Sequence, residues 1–379
     1  MAKNDVSSLL SVTRILQHIY EIKNIVFAKA CRELSKALGT TLSNARRYLE
    51  KIRELAMQRI MKLTAELDLP ALRLQLAIAV LRNAKLKNVS LPRAPPFVRS
   101  IAPLMPRGVA ITLYLPRVGD VPRELVGEGL YIVEYKLKNR FELWRYIKEV
   151  LSKPEYFVTT ESLEKILSEY LDRVDSTIET KGYGGSISYE LLLFLSQYEN
   201  NPLPKMSEVV SFFMKEMRAG GASVDESNAR RLAIHVSNQC SSFVKGLRIL
   251  YIGRLRELTD VSVLFVISGR DSRIVKLGKA LVMHPLVGAV GISLSTSYLM
   301  VNAFWRLDRL PQLVNYVNEL ATSVGAELCD VIVSKRGAGA RFGIPCIAFK
   351  EVIPSSGAWL PPDSTRLLRS VIESVLDYR

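Results

Sequence analysis

Five residues recur in this chain: Ser43-Asn44-Ala45-Arg46-Arg47 returns as Ser227-Asn228-Ala229-Arg230-Arg231. Arginine pairs with guanine and asparagine with adenine, so this set on an exposed helix face carries the donors for reading base edges. With Ala45 taken as the inward direction, Ser43, Arg47 and Glu50 point away from the core, flanked by Asn44 with Lys51 and Arg46 with Arg53. Phosphate contacts from Lys36, Arg46, Lys51 and Arg53 would set register and make binding salt-sensitive. Thr40 and Thr41 are N-cap candidates, and the free N–H groups beside them could meet a phosphate. The expected DNA site is therefore Lys36, Thr40, Thr41, Ser43, Asn44, Arg46, Arg47, Lys51 and Arg53. Ser227, Asn228, Arg230 and Arg231 form a second candidate, weakened because Asp225 and Glu226 precede it where a phosphate would otherwise sit.

Other chemistries find fewer residues. Cys31, Cys240, Cys329 and Cys346 are widely spaced, and His18, His235 and His284 do not complete any metal-ligand spacing. No Ser/His/Asp or Cys/His set is assignable, and the glycine-containing stretches at 268–271 and 335–343 match no phosphate-binding loop. The expectation is a protein that is not an enzyme, with no catalytic residue, metal or cofactor. No apolar run is long enough to span a bilayer and no signal peptide is evident, which points to a cytoplasmic, nucleoid-associated protein.

These side chains need helices to hold them. Apolar residues at Val12, Ile15, Leu16 and Ile19 have helical spacing, a second helix fits 26–38 with Gly39 as its stop, and a third fits 42–56. Two helices joined by the tight Leu38-Gly39-Thr40-Thr41 turn read as a helix-turn-helix. The period then changes. Strands fit 72–81, 109–115, 130–137 and 155–160, and a strong amphipathic helix fits 140–151. In the second half, helices fit 187–198, 206–217 and the stretch around the repeated motif, with 244–256 as a connecting helix. Strands follow at 261–268, 289–294, 299–305 and 330–335, with a helix over 310–324.

Both halves thus have one element order. Phe141 to Val150 also aligns with Pro311 to Leu320, and two distant matches in corresponding elements indicate a tandem duplication. The expected fold class is α+β: two helix-turn-helix (winged-helix-like) domains and two ferredoxin-like βαββαβ sandwiches in tandem. The expected boundaries are a DNA-binding domain over 1–66, a sandwich over 67–160 and a linker with a glycine hinge over 161–185. A less basic helix-turn-helix domain over 186–257, a second sandwich over 258–345 and a C-terminal extension over 346–379, with a helix at 364–376, complete the chain.

The stretch from Glu33 to Leu55 resembles the helix-turn-helix of the Lrp/AsnC family of prokaryotic, archaeal among them, transcription regulators. Gly127 to Val133 running into 140–151, and Thr296 to Val301, are similar to the middle of that family's ligand-sensing (RAM-like) domain. The resemblance implies an N-terminal DNA reader, and a βαββαβ domain that forms dimers and often binds amino acids. The Gly and Asp usual in the family's effector loop are missing from Thr296-Ser297-Tyr298-Leu299-Met300, and the first copy keeps only the Gly.

Charge supports a polyanion partner: of the net +15, +12 falls in the first 110 residues. The reading from sequence is a sequence-specific DNA-binding transcription regulator built as a covalent pseudo-dimer, with double-stranded DNA as its partner. A small-molecule effector and a homodimer through the sandwich domains stay open. The alternatives are a sequence-neutral chromatin protein and a protein-interaction scaffold.

Overall fold

The computed structural model describes residues 3–82, 84–86, 97–116, 129–178, 187–219, 225–341, 344 and 376–378. The expected glycine hinge and all but the last residue of the expected C-terminal helix lie outside them. The first half runs α1 (Lys3–Ile19), α2 (Phe27–Leu38), α3 (Leu42–Met57), β1 (Met61–Leu67), β2 (Leu74–Leu81), β3 (Ala84–Leu86), β4 (Val98–Pro103) and β5 (Val109–Pro116). It continues through β6 (Leu130–Val133), β7 (Tyr135–Lys138), α4 (Leu143–Ser152) and α5 (Thr160–Tyr170). The second half begins α6 (Tyr189–Tyr198), α7 (Met206–Ala219), α8 (Glu226–Gln239), β8 (Val244–Ile252) and α9 (Gly253–Glu257). It ends with β9 (Val261–Gly269), α10 (Asp271–Leu281), β10 (Val287–Ser293), β11 (Tyr298–Trp305), α11 (Leu310–Ser323), β12 (Ala326–Lys335), β13 (Ala340–Arg341) and β14 (Leu376–Tyr378). The class is α+β with antiparallel sheets.

Two compact units divide the chain, each drawing on both halves. The helical unit comprises Met1–Asp68, Glu142–Lys153 and Gly184–Arg254. Its first three helices form where the apolar spacing requires them: α2 stops at Gly39 in the left-handed region (φ 58°), and the Thr41 side chain caps α3 by accepting from Asn44 N–H. Ala45, Leu49, Ile52 and Leu55 of α3 are buried.

The second-half helices lock onto this core through backbone. Phe27 N–H donates to the Pro204 carbonyl (3.0 Å) and Leu203 N–H to that of Ile25 (2.7 Å), while the Asn24 amide donates to the Ser237 carbonyl (2.8 Å). A two-stranded antiparallel ribbon, β1 with β8, sits between them. Neither strand was expected there, since 244–256 reads as a helix. The run Val244–Ile252 is rich in β-branched and aromatic residues and finds an antiparallel partner in β1, so pairing overrides local propensity.

The ribbon buries an ion pair. Arg248 Nε lies 2.7 Å from Glu66 Oε2, both side chains almost fully enclosed. Arg248 Nη1 donates to the Tyr20 carbonyl at 2.8 Å, and the guanidinium stands over the Tyr20 ring, 5.2 Å from its centre. Gly246 lets this happen, because a Cβ there would run into the Tyr20 carbonyl and the guanidinium.

Residues 142–153 also belong to the helical unit, where α4 packs against α1 and Trp144 meets Tyr20 edge-on at 5.6 Å. The amphipathic helix expected on the first sandwich is therefore real but serves another core. A strand expected over 155–160 is a 3-10 turn (Pro154–Val158), followed by α5 with Thr159 as its N-cap.

The sheet unit comprises Leu69–Phe141, Pro154–Tyr183 and Leu255–Arg379. Its two five-stranded sheets have the orders β13-β4-β5-β2-β6 and β12-β9-β11-β10-β7. The strand expected as one run over 130–137 is broken at Glu134, so β6 pairs with β2 in one sheet and β7 with β10 in the other. Glu134 fixes the crossing, its carboxylate accepting from Leu294 and Ser295 N–H, both at 3.2 Å. At the opposite seam, β12 runs on into β13, which pairs with β4, and Met105 N–H donates to the Val333 carbonyl at 2.8 Å. The sheets are thus joined at both edges, and their ten strands close as eight staves of one ring.

The outward face of the second sheet, including Phe265, Leu299 and Trp305, is buried, and the α10 residues Ile274, Leu277 and Leu281 are buried with it. Beneath it His284 is fully buried between Phe157 and Trp305. Its Nδ1 accepts from Leu286 N–H at 3.3 Å, which leaves the Nε2 proton to bond Ser162 Oγ at 3.1 Å. Burial pushes its pKa down from 6.5 to about 3. The folded chain therefore stays neutral at His284 while the unfolded chain protonates. Stability contributed by this site is complete above about pH 6.5 and lost at about 1.4 kcal/mol per unit as pH falls toward about 3. Urea midpoints measured at pH 7 and pH 5 should show that slope, and His284→Gln should flatten it.

Candidate functional site

The residues expected to read DNA are gathered on α3, and several hold one another. Asn44 Nδ2 donates to Thr40 Oγ1 at 3.3 Å, and Arg46 Nε is ion-paired with Glu50 at 3.2 Å. Arg47 lies over the Tyr48 ring, and Arg53 pairs with Glu208 of α7. Ser43 and Lys36 are exposed, and Lys51 is half-buried. On α8, Asp225 caps the helix through Ser227 N–H, Arg231 bonds Asn228, and Ser227 and Arg230 are exposed. The two motifs share one unit, but Arg46, Arg53 and Asn44 already have protein partners.

A second arrangement lies inside the strand ring. Side chains alternate across a sheet, so register sorts them by face. Ile78 pairs with Thr112 and Tyr131, Ser100 with Thr112, and Ala102 with Ala110. In the other sheet Asn302 pairs with Leu264 and Ala289, and Ser262 with Phe304 and Ser334. These faces turn toward each other. Val133 stands against Gly291, where a Cβ would come within 2.8 Å of the valine, and the Tyr131 and Tyr298 rings meet edge-on at 5.9 Å.

The two faces of the sheets differ in burial at part of their length. Outward residues such as Ala77, Ile111, Leu113, Val263, Phe265 and Val301 are 0–3% exposed. On the inward face Ser100, Ala102, Thr112, Leu264, Asn302 and Phe304 are half-buried, while Leu76, Tyr114, Val133, Val266 and Met300 are buried. Ser, Ala and Thr at the half-buried inward positions take up little of the space between the sheets.

A polar cluster spans one side of this space. Tyr131 Oη donates to Asp330 Oδ2 at 2.9 Å, Arg82 is ion-paired with the same carboxylate, and Val331 N–H donates to Asp330 Oδ1 at 2.8 Å. Burial, then the hydrogen bond to Asp330, push the Tyr131 phenol well above its ordinary pKa, so it remains a proton donor at neutral pH. Elsewhere on the inward face, Ser262 Oγ donates to Asn302 Oδ1 at 3.3 Å.

Tyr131 and Tyr298 fall in the two stretches that resemble a ligand-sensing domain, but neither they nor Asp330 and Arg82 stand out in sequence as site residues. In 109–115 the alternation of Val109, Ile111 and Leu113 with Ala110 and Thr112 is visible, but a small, mildly polar face reads as solvent-facing. Only the pairing across two seams turns it inward. Among the described residues no cluster of three His, Cys, Asp or Glu could hold a metal, and no helix is long and apolar enough to cross a membrane.

No family model matches the chain, and no curated protein does. Two solved structures are similar. One is a siroheme decarboxylase, NirDL, 10% identical over 98% of this chain and 99% of that one, with a TM-score of 0.43. The other is the siroheme decarboxylase NirDL in complex with an iron-uroporphyrin III analogue, 11% identical over 95% and 98%, with a TM-score of 0.40. These proteins are enzymes that handle a tetrapyrrole, where the sequence led to a DNA-binding transcription regulator. The expectations of a regulator, of double-stranded DNA as partner and of a protein without enzymatic activity are corrected accordingly.

Proposed function

We propose that the sheet unit holds a small organic molecule inside its strand ring, and that the helical unit is the frame that joins the two halves of the chain. One observation carries this reading: within an otherwise buried interior, the inward positions Ser100, Ala102, Ala110, Thr112, Ser262 and Asn302 are half-buried and carry small or polar side chains. A ring of about eight strands has an interior just wide enough to be filled by side chains or to hold one small ligand.

The duplicated Lrp/AsnC-like layout belongs to the same proposal. Supporting it, the order β12-β9-β11-β10 is that of a βαββαβ sheet, with α10 and α11 as its two helices. The order β6-β2-β5-β4 repeats the same pattern in the first half. An iron-uroporphyrin, the kind of ligand in one of the similar structures, enters only as a probe.

The test is titration of the full chain with the fluorescent anion 8-anilinonaphthalene-1-sulfonate and, separately, with iron-uroporphyrin III. The expected result is saturable binding of one molecule of at least one probe, weakened by ~100-fold in Thr112→Trp with the fold intact by circular dichroism. Binding unaffected by that substitution, or no binding of either probe, would refute the reading.

A further inference from the structure

We propose, resting on the ring-interior reading, that the molecule held there presents an N–H or O–H group and that Tyr131 Oη accepts a hydrogen bond from it. Tyr131 and Thr112 both pair with Ile78, which puts them in one row across the inward face of the sheet. Tyr131 is half-buried, as Thr112 is, so part of its side chain is accessible. Two contacts with the facing sheet fix the phenol. Its ring meets that of Tyr298 edge-on at 5.9 Å, and its hydroxyl reaches Asp330 Oδ2 at 2.9 Å.

The hydrogen bonds already made decide what that hydroxyl can still do. A phenol has one proton to give and lone pairs with which to accept. Asp330, ion-paired with Arg82, is a carboxylate and only accepts, so the Tyr131 proton is committed to it. The other carboxylate oxygen takes Arg82 and Val331 N–H, which hold the group in that orientation. Burial and the bond to Asp330 keep the phenol protonated at neutral pH. No donor among the described residues meets Tyr131 Oη, so its lone pairs are left for a ligand. Donation to a carboxylate also polarises the hydroxyl and makes its oxygen a better acceptor. A ligand ether, carbonyl or acid anion there would set lone pair against lone pair, whereas an N–H or O–H completes the site. Asp330 is then a positioning residue, and Tyr131 the contact.

Two compounds of nearly one shape separate the donor from the cavity. N-Phenyl-1-naphthylamine carries one N–H, and 1-phenoxynaphthalene has an ether oxygen in its place. Fluorescence titration of the full chain gives the affinity of the amine, and displacement of the amine gives that of the ether. The amine should bind at least ~5-fold more tightly, the size of effect expected from one hydrogen bond. Tyr131→Phe should lower the amine to the ether's affinity. Asp330→Ala frees the phenol proton to turn toward the ligand, and should instead raise the ether to the amine's affinity, a gain that a packing role alone does not produce. It also serves if Tyr131→Phe is unfolded by circular dichroism. Equal affinities in the unaltered chain, or a preference that survives either substitution in a folded variant, would overturn the donor assignment while leaving the ring interior as the site. Failure of both compounds to bind, or binding of both that Thr112→Trp leaves intact, would remove the site itself and the assignment with it.

Discussion

Arg248→Met should lower the unfolding free energy of the full chain by about 3–5 kcal/mol, because it leaves the Glu66 carboxylate buried without its cation. The loss arises less from the attraction removed than from the unmatched charge left behind. Desolvating a carboxylate in such a place costs several kcal/mol, and the methionine returns none of it. Glu66→Leu should cost a similar amount for the mirror reason, stranding the guanidinium beside the Tyr20 ring. The double variant Glu66→Leu/Arg248→Met should recover most of the loss, since two apolar groups in that space leave no charge to satisfy. Urea unfolding of the four proteins closes the cycle. Additive losses in the double variant would mean that the pair does not act as a unit across the β1–β8 ribbon.

Thr112→Trp should weaken binding of 8-anilinonaphthalene-1-sulfonate by ~100-fold, about 2.8 kcal/mol, at little cost in stability. The combination is the informative part. In a filled core, adding a side chain of that size typically costs about 1–3 kcal/mol through displaced neighbours and strained rotamers. In an open ring the indole occupies space the ligand would have taken, so stability should change by less than about 1 kcal/mol. Ala110→Phe, one residue pair farther along the same face, should behave alike. A variant that loses much stability and keeps its binding would place the accessible space elsewhere.

Much of the secondary structure was legible from spacing alone. The three N-terminal helices follow the apolar periods and the glycine stop, and the strands of the second half fall within two or three residues of the expected ranges at most ends. What local pattern could not carry was partnership. The helix over 140–151 has the right period, but nothing in the period says which core it faces, and α4 packs on α1. The run 130–137 alternates like one strand, and only the Glu134 carboxylate, reaching the backbone after β10, explains why it serves two sheets. Val244–Ile252 was read as a helix because a strand's pairing partner, Met61–Leu67, lies far away in sequence.

The residues of the helix face were legible one by one, but their partners were not. Arginines on an amphipathic helix look available in sequence, yet the partners of Arg46 and Arg53 are Glu50, one turn on, and Glu208, in another helix. The interior of the ring had the opposite fate. Ala, Ser and Thr alternating with Val, Ile and Leu describe a solvent-facing side as well as an unfilled cavity, and strand closure alone decides between them.

Thiol accessibility on the two faces of β5 separates an open interior from a filled one. In a background carrying Cys329→Ser and Cys346→Ser, the Thr112→Cys and Ile111→Cys variants place neighbouring thiols on the inward and outward faces of β5. A small methanethiosulfonate reagent should modify the Thr112→Cys thiol at least ~10-fold faster, since reactivity follows exposure, and saturating 8-anilinonaphthalene-1-sulfonate should protect it. Equal rates at the two positions, or a fast rate that the probe leaves unchanged, would contradict a ligand site within the ring.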